Sequence, residues 1–314
     1  MGFTIAQASS IHMPVIDLTG AFSPSLEDRR AVAQKIGAAC RDIGFFYVTG
    51  HGVPAAVIER TVDASKAFFA RPREDKMKLL GVGGYGYEPP QLQTLDASAP
   101  PDLKEGFMAG DAGSALASTA KWPPDMPEFR SAVAQYDAAM RTLGRVIVRS
   151  LSLSLGLAED HFDDGYENPS CSVRLLHYAP KPEGALDNQW GAGAHTDWGA
   201  ITMLHQDTVG GLEVLGPEGE WIAALPLPGS FVINLGDMIR RWTNDKYRST
   251  LHRVKSNPAS RDRYSIATFF SPHQDYRVVC VPTCLEEGET PIYPPCTVGE
   301  HTAEMVRKTY GGGA

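Results

Sequence analysis

A mainly β fold with flanking helices and a jelly-roll core, a double-stranded β-helix of cupin type, is what three features of this 314-residue sequence predict. From about Ser172 to Pro272 the chain carries eight or so short apolar strands separated by turns, which suits a double-sheet roll whose open mouth can hold a small ligand. Residues 1–160 show mainly helical periodicity, and the chain has no internal repeat. The expectation is one domain, with a helical region over 1–160, the core over 172–272 and a C-terminal extension over 273–314.

Taken in order, Ser25 precedes Val32, Ile36, Ala39 and Ile43 at three- and four-residue steps, with Asp28 in the first turn, and predicts a capped amphipathic helix. A second helix follows Pro54, using Val57, Ile58, Val62, Phe68 and Phe69. The strongest helical signal is Phe129, Val133, Tyr136, Met140, Leu143, Ile147 and Leu151, ending at Gly156, a stripe suited to packing on the back of a sheet. Between these helices, Gly81-Val82-Gly83-Gly84-Tyr85-Gly86 spells a dinucleotide fingerprint. A charged helical stretch precedes it and Tyr87-Glu88-Pro89-Pro90 follows, so it reads as a flexible loop. The stretch Ala97–Pro127, rich in Ala, Ser, Pro and Gly, is expected to fold over an active-site mouth. Turns at Val209-Gly210-Gly211, Gly216-Pro217-Glu218-Gly219 and Pro226-Leu227-Pro228-Gly229 then punctuate strands such as Gly211–Leu215 and Ser230–Leu235.

The chemistry lies among those strands. His195 and Asp197 are two residues apart, so on a strand their side chains share a face, and the apolar run Ala200–Leu204 follows. His252 comes fifty-five residues after the aspartate, in the strand-like segment Ser249–Val254. Two imidazoles and a carboxylate on one face of an octahedral ion leave the other face open, which is the ligand set of non-haem Fe(II) oxygenases. Arg263 and Ser265 form another i, i+2 pair. A guanidinium fork beside a hydroxyl suits the carboxylate of a dicarboxylate co-substrate. A lone His-x-Asp arises often by chance; the combination with His252 and Arg-x-Ser is far more specific. The other histidines, at 12, 51, 161, 177, 205, 273 and 301, have no ligand spacing.

On these residues the chain resembles the isopenicillin N synthase-like branch of the Fe(II)/2-oxoglutarate-dependent oxygenases, whose motif is His-x-Asp, fifty to sixty residues, His, then about ten residues and Arg-x-Ser. Met13–Leu18 and Cys40–Gly52 are similar to its N-terminal region, Asp102–Phe107 to its middle segment and Arg174–Tyr178 to the strand before the metal pair. The resemblance implies that His195, Asp197 and His252 bind Fe(II), and that 2-oxoglutarate chelates the metal while Arg263, Ser265 and Tyr178 hold its distal carboxylate. Dioxygen is then consumed, succinate and carbon dioxide are released, and a small substrate is oxidised, by default hydroxylated. Leu176 falls where many plant members carry an asparagine, so one polar contact to the co-substrate is expected to be absent.

Candidates for the substrate pocket are Phe107 in the expected lid, Trp198 beside the metal pair, Arg240 and Phe270. A buried Arg240 would favour a substrate with a carboxylate, and a solvent-exposed one would remove that argument. Three other readings compete: an oxidase of the same fold that does without 2-oxoglutarate, like isopenicillin N synthase and the aminocyclopropane carboxylate oxidases; a non-enzymatic ligand-binding jelly-roll protein; and a zinc hydrolase. The last is disfavoured because no His-Glu-x-x-His helix is present.

Composition bounds the rest. With 43% hydrophobic and 21% charged residues the chain can bury a substantial core. The formal charge of −8 would repel polyanions, so a small-molecule substrate is favoured over nucleic acid. Cys40, Cys171, Cys280, Cys284 and Cys296 are odd in number, without an N-terminal signal segment, which predicts a reducing cytoplasm. Cys280, Cys284 and Cys296 lie close in sequence but lack a Cys-x-x-Cys pair and a fourth zinc ligand. No apolar stretch is long enough to span a bilayer.

Overall fold

Eight strands between residues 170 and 271 build two facing sheets around a central space: β5 (Ser170–Tyr178), β6 (Ala192–His195), β7 (Ile201–Gln206), β8 (Leu212–Leu215), β9 (Trp221–Ala223), β10 (Phe231–Leu235), β11 (His252–Val254) and β12 (Arg263–Ser271). The computed structural model describes residues 13–81, 85–111, 121–257 and 260–310. Ahead of the core come β1 (Val15–Asp17), α1 (Leu26–Asp42), β2 (Phe45–Thr49), α2 (Ala55–Phe69), α3 (Arg73–Met77), β3 (Gly86–Glu88), β4 (Lys104–Asp111) and α4 (Pro127–Ser154). Helix α5 (Asp237–Trp242) follows β10, and β13 (Arg277–Val278), β14 (Cys296–Thr297) and α6 (Val298–Tyr310) close the described chain.

The major sheet runs β1-β2-β10-β7-β12-β5-β4-β3, and the minor sheet β6-β11-β8-β9. The N-terminal region therefore adds four strands to the major sheet as well as its helices. Periodicity hid β1 and β3 because each has three residues, too few to show alternation.

The helices form for the reasons their sequences give. Ser25 caps α1, its hydroxyl accepting from the Asp28 amide at 3.5 Å. In α4 the whole stripe from Phe129 to Leu151 is buried. These residues join the main hydrophobic core between the helices and the outer face of the major sheet, with Phe107, Val173, Leu175, Ile266 and Phe270 from the strands. Burying a side chain of that size contributes about 1.5–3 kcal/mol. Gly144 lets α4 approach β12, since a Cβ there would lie 2.6 Å from the Phe270 ring. A second, smaller cluster fills the space between the two sheets, including Phe45, Tyr47, Leu176, Tyr178, Leu212 and Val254.

Two loop expectations change. Gly86 opens strand β3, so the glycine-rich run leads into a strand and starts no helix; Val82, Gly83 and Gly84 lie outside the described residues. Within the expected lid, Lys104–Asp111 is a strand of the major sheet, paired along β5 from Lys104 opposite Tyr178 to Asp111 opposite Cys171. Residues 112–120 lie outside the described residues. Among the described residues no helix is long and apolar enough to cross a membrane.

Candidate active site

Strand pairing brings the two distant histidines together. β6 and β11 are antiparallel neighbours with His252 directly opposite His195, and their ring centroids are 4.3 Å apart. Asp197 lies just past the end of β6, in a turn tied to the start of α5: its carbonyl accepts from the Asp237 amide at 2.8 Å. One ligand atom from each of His195, Asp197 and His252 lies within 4.8 Å of the others. Among the described residues this is the one such group of three metal-ligating side chains; Cys280, Cys284 and Cys296 form none, and all five cysteines are free.

Each of the three side chains is aimed by a bond on its far side. His195 Nδ1 lies 2.7 Å from the Gly193 carbonyl and His252 Nδ1 lies 3.1 Å from the Thr250 carbonyl, so each Nδ1 carries the proton and each Nε2 presents a lone pair. Both Nε2 atoms are 3.8 Å from Asp197 Oδ1. The other carboxylate oxygen, Oδ2, accepts from the Thr202 hydroxyl at 2.5 Å and from Asn234 Nδ2 at 2.7 Å. Burial, reinforced by the neighbouring His252, pushes the His195 imidazole down to about 3, which keeps it neutral and able to ligate. Burial works against ionised Asp197, but the two histidines and the Asn234 and Thr202 hydrogen bonds outweigh it and hold the carboxyl below its usual range. Two neutral imidazoles and one carboxylate fit an ion such as Fe(II).

Arg263 is the deepest charge in the same cavity, at 1% exposure. It sits at the start of β12 opposite Tyr178 of β5, with its guanidinium 4.6 Å from the centre of the Tyr178 ring. Nη1 donates to Ser265 Oγ at 3.4 Å, whereas Nε and Nη2 have no hydrogen-bond partner among the described residues. A buried guanidinium with two idle donors is costly unless a ligand supplies acceptors, and a carboxylate matches that fork. The cavity takes in the triad, Thr202, Asn234, Arg263, Ser265 and Tyr178, with walls that include Phe45, Leu95, Leu176, Leu212, Val254 and Phe269. Leu176 leaves the wall beside Tyr178 apolar, where a polar contact was expected to be missing.

Of the four residues nominated for substrate, Phe107, Phe270 and Arg240 lie elsewhere. Phe107 is fully buried on the helix-facing side of β4, packed on Phe68 and Phe129. Phe270 stacks on Tyr166 behind β12, because it is an odd number of positions from Arg263 and so points away from the cavity. For Trp198 the backbone is fixed, its carbonyl accepting from His301 Nε2 at 2.8 Å. Arg240 has a side chain 44% exposed and pairs with Asp245 and Tyr293 at the surface, which removes the argument built on it. Sequence reasoning missed Lys104 and Arg174, both of which line the cavity. Strand parity would have found the second, since Arg174 is four residues from Tyr178 and shares its face.

Known proteins are similar along nearly the whole chain. The model of the 2OG-Fe(II) oxygenase superfamily matches residues 169–272, and one described as non-haem dioxygenase in morphine synthesis, N-terminal, matches residues 13–129. The 2-oxoglutarate-Fe(II) type oxidoreductase hxnY of Emericella nidulans is 38% identical over 317 residues, 95% of this chain and 90% of the relative. The 2-oxoglutarate-dependent dioxygenase citB of Monascus ruber is 38% identical over 332 residues, 98% of both chains. Among solved structures, a full-length Neurospora crassa protein in complex with alpha-KG and thymine superposes with a TM-score of 0.87 at 27% identity, covering 95% of this chain and 97% of its own.

Proposed function

Because this chain belongs to the 2OG-Fe(II) oxygenase superfamily, we propose that His195, Asp197 and His252 hold its Fe(II), and that Arg263, Ser265 and Tyr178 receive the distal carboxylate of 2-oxoglutarate. The protein is an Fe(II)/2-oxoglutarate-dependent dioxygenase. Bound together, iron and 2-oxoglutarate supply dioxygen activation, with succinate and carbon dioxide as co-substrate products and oxidation, by default hydroxylation, of a small molecule.

The chain's own residues perform the preparation. Thr202 and Asn234 hold Asp197 Oδ2, so that Oδ1 stays turned to the imidazoles. The Gly193 and Thr250 carbonyls fix both histidine tautomers. Arg263 orients a diacid by charge-assisted bonds, and the Tyr178 ring keeps the guanidinium in place from one side. The apolar walls exclude water and leave substrate orientation to shape.

The observation that carries this reading is the idle Arg263 fork in the cavity that also holds the triad. The fork calls for a carboxylate in the cavity, a feature that oxidases of this fold that do without 2-oxoglutarate also share through Arg-x-Ser. What favours 2-oxoglutarate over those oxidases, and over a ligand-binding protein without chemistry, is the similarity along nearly the whole chain to 2-oxoglutarate-dependent relatives. The test is succinate formed in step with dioxygen uptake. Oxygen uptake with no succinate would overturn it.

A further inference from the structure

The cavity holds two cations that neither the triad nor the Arg263 clamp uses. Lys104, on β4 and 6% exposed, and Arg174, on β5, both line it. Their strands are neighbours in the major sheet, and both side chains leave the face that carries Tyr178.

Each cation is held by a carboxylate outside the cavity lining. Lys104 Nζ donates to Asp102 Oδ2 at 2.5 Å, while Asp102 Oδ1 accepts from the Gly193 amide at 2.9 Å. Arg174 donates to Glu88 Oε2 at 2.8 Å through Nε and to Gln93 Oε1 at 3.1 Å through Nη2, which also lies 2.8 Å from Glu88 Oε2 as an ion pair. Glu88 reaches that position only because Gly106 lies between the strands, since a Cβ there would be 2.5 Å from Glu88 Oε2. Two of the three Lys104 N–H groups and the Nη1 group of Arg174 make no hydrogen bond to any described residue. Burial, aided by the nearby Arg174 charge, pulls the Lys104 ammonium down to about 8, as expected of two cations converging on one space.

We propose that Lys104 and Arg174 form a second anion site in the cavity, separate from the Arg263 clamp, which receives the carboxylate of a small substrate with an apolar body. The inference rests on the reading of this cavity as the Fe(II)/2-oxoglutarate site. A carboxylate offers two oxygens for two donor groups, and it gains charge-assisted bonds from both. A phosphate brings a further charged oxygen, and the apolar part of the lining, Phe45, Leu95, Leu212, Val254 and Phe269, offers it no partner. The same apolar residues suit an aromatic or aliphatic body in the cavity that the triad also lines.

Anaerobic calorimetry on enzyme loaded with Fe(II) and 2-oxoglutarate tests this with three matched probe pairs: phenylacetate and phenylacetamide, cinnamate and cinnamamide, hexanoate and hexanamide. At least one acid should bind tenfold or more tighter than its amide. In Lys104→Met and in Arg174→Met, measured separately, that preference should fall about tenfold while 2-oxoglutarate affinity stays within twofold. The double variant Asp102→Asn with Lys104→Met keeps an uncharged acceptor for the Gly193 amide and reports the same loss should the single change unfold the chain. No acid preference in any pair, or a preference that survives both substitutions, overturns the proposal. So does loss of 2-oxoglutarate affinity in Lys104→Met, which would put these cations on the co-substrate. Failure of the underlying reading looks different: 2-oxoglutarate would bind wild type weakly, or would bind Arg263→Met as well as wild type.

Discussion

The Gly193 carbonyl accepts from His195 Nδ1 at 2.7 Å while the amide of the same residue donates to Asp102 at 2.9 Å, so a carboxylate just before β4 steadies the histidine of the minor sheet. Asp102 is 2% exposed and also pairs with Lys104. Asp102→Ala should cost about 3–5 kcal/mol of stability, because it leaves a buried ammonium without its counter-charge. Adding Lys104→Met should recover part of that loss. Denaturant midpoints of the two variants check this, and no recovery would assign the whole effect to the Gly193 bond.

Thr202→Val removes one of the two donors to Asp197 Oδ2. The carboxylate is then free to turn, and metal affinity should drop roughly 10–100-fold. Titration with Fe(II) under anaerobic conditions measures it, with Asp197→Ala as the limit at which metal-dependent turnover is lost. Unchanged affinity in Thr202→Val would mean the backbone alone sets the carboxylate.

Arg263→Met should weaken 2-oxoglutarate binding by about 3 kcal/mol, roughly a hundredfold, as two charged hydrogen bonds disappear. Metal affinity should stay constant. Arg263→Lys should restore little, because a point charge cannot reproduce the planar fork. An unaltered 2-oxoglutarate requirement in Arg263→Met would place the anchor elsewhere.

His177 faces away from the cavity, between Glu105 at 2.7 Å and Asp262 at 2.9 Å. Burial disfavours its protonation, but the bonds to these two carboxylates outweigh burial and raise it above its ordinary value of 6.5. A raised value in the folded state means that protonated His177 adds stability fully below the unfolded value and loses it as pH climbs through the folded one. The stability gap between wild type and His177→Gln should therefore be largest near about pH 6 and shrink toward pH 9. Denaturant midpoints across that range test the sign, and a gap that widens with pH would reverse it.

Phe107→Ala and Phe270→Ala should each cost about 3–5 kcal/mol by opening cavities in the helix-facing core. Neither should alter 2-oxoglutarate affinity or substrate preference once the protein is folded. A changed preference at full folding would return them to the pocket.

The legible parts of the site were those carried by local geometry. Arg263-x-Ser265 is an i, i+2 pair within β12, and eight strands with turns between them announce two facing sheets. His195-x-Asp197 was legible by its spacing, although Asp197 lies past the end of β6 and is placed by the turn into α5, not by strand alternation. Arg174 shares the Tyr178 face of β5 by strand parity alone, whereas Lys104 and its meeting with Arg174 were not legible because they depend on the register of β4 against β5, which no local pattern encodes. Phe107 and Phe270 misled because both faces of these central strands are buried, so an apolar residue is equally at home on either. Arg240 looked plausible only by its place after β10; six residues of α5 turn it outward.

Because β12 shows its odd face to the ligands and its even face to α4, residues can change there but their number cannot. Losing a single residue between Arg263 and Phe270 would swing the guanidinium among the helices, or push an aromatic ring into the space meant for reactants. Divergence of the enzyme toward new molecules therefore has to proceed by replacement within this strand, with length variation confined to its connecting loops.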